Sequence, residues 1–263
     1  MDRPELYSSV RRYIAYIGLY GTTQLHLRNP YIIAGWSLTF PGLGHLLLSK
    51  YIRGYFLFIW EIFINVKAHI NLAILYSFTG RFEMAKDILD INWVLLYIPT
   101  YIFSVWDAYR TTVDINHQYI LAVREDAEFN MFNIGQLEFN YLDKRTPWTA
   151  ALWSAMMPGL GQLLIHRIPG ALFIIIATIA IAQQAAILPA IHYTLLGQID
   201  YAKSILNPQW FLNIPSVYFF AIYDAYINCV SNNKLFDWEQ NKFLNKNYQN
   251  RYFKMPFKAD ESE

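Results

Sequence analysis

A single cysteine, Cys229, stands in 263 residues, so neither an internal disulfide nor a thiolate metal cluster can be built from this chain. Charge is scarce as well. Asp, Glu, Lys and Arg make up 16% of the sequence and sum to +1. A nucleic-acid surface needs clustered excess Lys and Arg, so no nucleic-acid partner is expected. Catalytic signatures are missing: there is no Gly-x-Ser-x-Gly, no His-Glu-x-x-His and no Gly-Lys-Ser/Thr phosphate loop, and the six histidines are scattered. The expectation is a protein that is not an enzyme and holds no cofactor or metal. The N-terminus has no uninterrupted apolar run of signal-peptide type, so the first spanning segment is expected to direct insertion.

What is abundant is apolar and aromatic. Hydrophobic residues reach 55% and aromatics 17%, and long apolar runs extend over 54–60, 170–181 and 210–225. Runs of this kind suit a bilayer better than an aqueous core, and Tyr and Trp suit helix ends at the headgroup level. A soluble helical bundle would show a polar stripe along each helix, and residues 170–182 show none.

The strongest signal is a repeat. Pro41-Gly42-Leu43-Gly44-His45 returns 117 residues later as Pro158-Gly159-Leu160-Gly161-Gln162. At the same offset Pro30, Ala34, Trp36 and Ser37 match Pro147, Ala151, Trp153 and Ser154. Downstream, Tyr76, Gly80, Lys86 and Trp93 match Tyr193, Gly197, Lys203 and Trp210, and each copy closes on Asp-Ala-Tyr, at Asp107 and Asp224. Matching Arg53-Gly54 to Pro169-Gly170 requires a one-residue slip. Trp, Gly, Lys and Asp kept in phase this way indicate a tandem duplication.

Five regions follow: an amphipathic N-terminal segment (1–29), a membrane hairpin repeat (30–112), a polar cytoplasmic linker (113–146), a second hairpin repeat (147–229) and a cytoplasmic tail (230–263). In the first region Leu6, Val10, Tyr13, Ile14 and Ile17 have helical spacing. The linker is expected to form one or two surface helices, and the tail, ending in Asp260-Glu261-Ser262-Glu263, to fray. Segments broken by Pro-Gly-Leu-Gly expose backbone that lipid cannot satisfy, so each is expected to turn back or pack inside protein. With two spans per copy, 17 of the 21 Lys and Arg fall on one face and three on the other, Lys67 lying within a span. Six spans would divide them 13 to seven and invert the second copy. The larger bias predicts an all-α integral membrane protein with four spans, two re-entrant or short buried helices, parallel copies and both termini cytoplasmic.

The two turns and the terminal Asp-Ala-Tyr resemble those of small bacterial membrane proteins built as a hairpin with a Pro-Gly-Leu-Gly-Gln turn. These are similar in turn to the broader two-helix transmembrane hairpin family. The likeness covers 30–112 and 147–229. The second copy carries the full turn, whereas the first departs at His45. The resemblance implies residence in a bacterial cell membrane and no settled activity.

Three sets of residues stand out as candidates. The turn motifs themselves are Pro41, Gly42, Leu43, Gly44 and Pro158, Gly159, Leu160, Gly161, Gln162. Within the apolar segments, Glu61, Asn65 and His69 recur at i, i+4 and i+8, and ionisable groups in a span suggest a site. Lys67, Gln183 and Gln184 are further intramembrane polar residues, with Lys67 and Gln184 aligned between copies or Lys67 snorkelling outward. Asp107 and Asp224 are expected to tether their turns through Arg53 and Arg167 or through backbone amides, or else simply to be solvated at the interface. The role expected is that of a membrane-embedded partner or assembly factor, engaging lipid and another protein or a second copy. The competing class is a small ion or solute permease or channel using the Glu61-Asn65-His69 face.

Overall fold

A computed structural model of the chain describes residues 11–248 and is mostly helical. The chain starts with a short hairpin, β1 (Ala15–Gly18) and β2 (Gly21–Gln24), paired antiparallel. Six helices follow: α1 (Pro30–Thr39), α2 (Leu43–Leu47), α3 (Tyr51–Ala68), α4 (Ile70–Phe78), α5 (Phe82–Ile88) and α6 (Ile91–Glu125). A second hairpin, β3 (Phe132–Ile134) and β4 (Phe139–Tyr141), opens the second half. Then come α7 (Pro147–Met156), α8 (Leu160–Leu164), α9 (Ile168–Gln184), α10 (Ile187–Leu195), α11 (Ile199–Ile205), α12 (Pro208–Phe211) and α13 (Ile214–Asn247).

Every helix from α1 to α6 starts 117 residues before its counterpart from α7 to α12, as Pro30 and Pro147 or Ile91 and Pro208 show. The irregular backbone repeats too. Positive φ occurs at Gly42, Ser49, His69 and Gly80 and again at Gly159, His166, Ala186 and Gly197. One difference is the last long helix. Copy one runs unbroken through Pro99 in α6, while copy two breaks at Leu212-Asn213 before Pro215, within the first turn of α13.

The hairpins correct two expectations. Tyr13, Ile14 and Ile17 belong to a strand and its approach rather than a helix, and Leu6 and Val10 lie outside the described residues. The linker likewise forms a hairpin after α6 has carried the chain on to Glu125. Both hairpins keep the 117-residue register, with Ile17-Gly18 matching Ile134-Gly135, so each belongs to its repeat unit. A strand wins over a helix here because Gly18 and Gly21 in one copy, and Gly135 in the other, interrupt the apolar pattern at the turn. The tail is helical to Asn247, and its acidic end at 260–263 is outside the described residues.

The two hairpins pack together: Asn133 and Asn140 Nδ2 donate to the Ile17 and Gly18 carbonyls at 2.9 and 3.0 Å. Beneath them Ile14, Ile17 and Leu142 meet Leu235, Tyr119 and Trp238 from the far ends of α6 and α13. The main core draws on both copies, with Ile33, Leu43, Leu47 and Phe58 against Ile174, Ile181, Val217 and Phe220. Tyr55, near the start of α3, stacks on Phe173, near the start of α9, at 4.1 Å between ring centres.

No single described helix is long and apolar enough to cross a membrane. Three bent pairs reach that length and composition together: α3 with α4, α5 with α6, and α9 with α10, bent by 63°, 89° and 61°. The helix expected to carry Glu61, Asn65 and His69 on one face is interrupted at His69.

Candidate functional site

Each Pro-Gly-Leu-Gly stretch forms a tight corner that folds a short helix back on the one before it. Gly42 and Gly159 sit at φ 96° and 105°, a left-handed conformation that a side chain would strain. The second glycine is there for contact. A Cβ on Gly44 would lie 2.5 Å from both the Ile33 carbonyl and Ser37 Oγ, and one on Gly161 would overlap the equivalent Ala150 carbonyl and Ser154 Oγ. Glycine thus lets α2 and α8 lie against α1 and α7 at backbone distance.

That closeness brings position 45 or 162 to the aspartate of the following long helix. In the first copy His45 Nε2 lies 2.8 Å from Asp107 Oδ2, and Arg53 Nη1 donates to the same oxygen at 2.7 Å. Ser104 Oγ, one turn earlier on α6, accepts the Gly42 N–H at 3.3 Å. In the second copy Gln162 Nε2 donates to Asp224 Oδ2 at 3.1 Å and to the Ala221 carbonyl at 2.7 Å. Ser154 Oγ bonds Gln162 Oε1 at 3.1 Å, and Arg167 Nη1 donates to Asp224 Oδ1 at 2.7 Å. Asp107 and Asp224 are each in contact with their own turn, and both are buried.

The arginines are not equivalent. Gly42 lies over the Gly54 carbonyl and Gly159 over that of Ala171, so the 117-residue register holds without the slip expected from Gly54 and Gly170. Arg53 therefore matches Gly170, and Arg167 matches Lys50. Arg53 reaches its aspartate from the first turn of α3 with half its side chain exposed, whereas Arg167 caps α9 with its side chain 4% exposed. Arg167 also donates to the Leu46 carbonyl at 3.1 Å and to Ser49 Oγ and Tyr51 Oη, both at 3.2 Å. It ties the second copy's aspartate to the first copy's turn.

The second polar centre joins the copies at the other end of α3. Glu61 Oε1 accepts from Asn65 Nδ2 at 3.3 Å and from Tyr97 Oη at 3.2 Å. Asn65 exchanges bonds with Asn71 and accepts from Gln209 Nε2 at 2.7 Å, and Asn71 donates to the Gln209 carbonyl at 2.8 Å and to Asn213 Oδ1 at 3.1 Å. The i+8 partner expected at His69 does not join. His69 ends α3 at φ 55° and is exposed, so the helical face stops there. Lys67, Gln183 and Gln184 are exposed as well, and no hydrogen bond links Lys67 to Gln184 among the described residues.

Chemically these centres bind helices to one another, and among the described residues no three His, Cys, Asp or Glu side chains cluster as metal ligands. Several contributors escaped the sequence reading. Asn116 accepts from Arg28 N at 3.0 Å and donates to Arg28 O at 2.8 Å; Asn233 does the same for Arg145 at 2.9 and 2.7 Å. Both pairs recur at the repeat offset, which is the signal that finds them. Gln209, Asn213 and Tyr97 carry no such signal, since the residues at the repeat offset are Asn92, Leu96 and Ile214. Comparison of the chain with protein-family models, curated proteins and solved structures finds no match.

Proposed function

We propose that the chain is a non-enzymatic, multi-pass protein of a bacterial cell membrane, serving as a partner or assembly factor within a membrane complex. The observation that carries this reading is an inside-out distribution of polarity. Ile52, Phe56, Ile59 and Phe63 form an outward stripe on α3, Leu172, Ile176 and Ile179 one on α9, and Trp148, Leu152 and Met156 one on α7, all exposed and all at helical spacing. Glu61, Asn65, Asp224, Arg167 and Gln162 are buried instead. Soluble monomers rarely expose contiguous apolar surface on this scale, and lipid is the solvent it fits. The α3 and α9 stripes lie on helices that reach spanning length only with α4 and α10, as bent pairs, so these two of the four proposed crossings are read as broken ones.

The parallel arrangement is supported by starts meeting starts, Tyr55 on Phe173, and by the two hairpins lying together. Inverted copies would separate the hairpins. The positive bias of the hairpin side makes it cytoplasmic, with both termini there. The partner role follows from polar side chains used between copies rather than along a passage.

One observation favours the permease reading: Glu61 Oε2 is buried without a hydrogen-bond partner among the described residues. A proteoliposome flux assay separates the two. The partner reading expects no selective ion or solute flux, and selective flux abolished by Glu61→Gln would replace it with the permease.

A further inference from the structure

Arg28 and Arg145 hold the same place in the two copies, just before the prolines that open α1 and α7, and an asparagine clamps the backbone of each. Their guanidinium surroundings differ. Arg145 Nε donates to both oxygens of Asp143 at 2.9 Å, and Nη1 to the Leu164 carbonyl. The cavity beside that pair measures only about 10 Å³. In the first copy the residue at the place of Asp143 is His26. No ion pair among the described residues includes Arg28, whose Nη2 donates to the neutral Asn228 Oδ1 at 2.8 Å.

Beside Arg28 a cavity of about 480 Å³ opens between the β2–α1 connection, the start of α1 and the middle of α13. Its polar wall includes His26, Arg28 and Lys234, with no Asp or Glu side chain among the described residues, and Ile32, Ile227 and Val230 contribute to its apolar wall. Pockets for small organic ligands span roughly 300–1,000 Å³ with a few convergent polar groups on an apolar lining. Both ring nitrogens of His26 are buried without a hydrogen-bond partner of ordinary geometry among the described residues. Such groups are costly unless something satisfies them. Burial, then the charges of Arg28 and Arg167, pushes His26 down to about 3, so the ring is neutral near pH 7 and has one N–H to donate.

We propose that this cavity binds a phosphate or carboxylate anion. The anionic group takes at Arg28 the place that the Asp143 carboxylate takes at Arg145, and where the ligand is a lipid its apolar remainder lies along Ile32, Ile227 and Val230. Two sources share this chemistry: an anionic phospholipid of the surrounding leaflet and a free phosphate. The lipid source rests on the membrane reading; the site itself rests on the comparison of the two arginines.

Thermal unfolding of the purified full chain in neutral detergent tests it, with phosphatidylglycerol, phosphatidylcholine and inorganic phosphate as the three additions. Phosphatidylglycerol is expected to raise Tm by several degrees, roughly what an excess over Kd produces, and phosphatidylcholine to have little effect. A matching shift from inorganic phosphate alone assigns the free anion as the source. His26→Asp supplies an internal carboxylate, so it is expected to raise the unliganded Tm and abolish the shift. Lys234→Gln, at an exposed side chain, is expected to weaken binding severalfold with the unliganded Tm unchanged, and it decides the matter where His26→Asp does not fold. Equal shifts from both lipids, no shift from any addition, or an anion shift undiminished in the variants would overturn the proposal. Such a failure leaves the membrane reading standing, because that reading is tested by labelling and flux, which do not depend on this cavity.

Discussion

The two copies share a backbone down to their left-handed residues but distribute their polar side chains differently. At the turn, His45 and a half-exposed Arg53 hold Asp107, while Gln162 and a buried Arg167 hold Asp224. Arg167 further reaches the first copy, and Arg53 has no such reach among the bonds it makes. What the two copies share is the glycine corner and the aspartate. What differs is the cation's position on the next helix. The second copy's arginine also joins the halves.

The largest expected effect is therefore unequal between copies. Arg167→Ala leaves Asp224 buried and unpaired and should cost about 3–5 kcal/mol in equilibrium unfolding in micelles. Equal losses from Arg167→Ala and Arg53→Ala would break the comparison. Next come the close-approach glycines: Gly44→Ala and Gly161→Ala should each cost about 1–3 kcal/mol by overpacking. Gly35→Ala, with open space around it, is the neutral control for both. The asparagine clamps should then behave alike, Asn116→Ala and Asn233→Ala each losing on the order of 1 kcal/mol or somewhat more as backbone groups go unpaired. Divergent losses there would mean the hairpin-to-helix joint is not a repeated device. Arg53→Ala, half-exposed, should lose no more than about 1 kcal/mol.

Smallest at neutral pH is the effect of His26. Its folded-state value lies near 3 against an ordinary 6.5, lowered by burial, Arg28, Arg167 and Lys234 and raised only by the Gln24 backbone. The unfolded chain therefore binds the extra proton first, so stability falls as pH drops below about 6.5 and continues falling toward 3. His26→Asn should flatten that slope in pH-dependent melting, and an unchanged slope would assign it to other groups.

The helical content was legible in the apolar runs, and the 117-residue spacing of the helices was legible because a repeat reports itself at a fixed offset. Pro41-Gly42-Leu43-Gly44 also has a local physical reason, a left-handed corner followed by a backbone contact. The hairpins were not legible, since Tyr13, Ile14 and Ile17 satisfy helical spacing too and only Ile134-Gly135 at the repeat offset betrays a strand. His69 was misread because nothing in an apolar run marks a left-handed break at a residue other than glycine. One partner of Asn65, Gln209, lies across the copy boundary on α12, and spacing within one segment carries no information about it.

Single cysteines placed in a Cys229→Ser background and treated with a membrane-impermeant maleimide test the orientation on which the whole account stands. Phe78→Cys and Leu195→Cys occupy equivalent exposed positions beyond the two helix breaks, at 87% and 82% exposure; Tyr16→Cys and Ile134→Cys lie on the hairpins. Intact cells should label the first two from outside and the hairpin pair only after permeabilisation. Labelling of Phe78→Cys and Leu195→Cys from opposite sides, or of Ile134→Cys in intact cells, would contradict it.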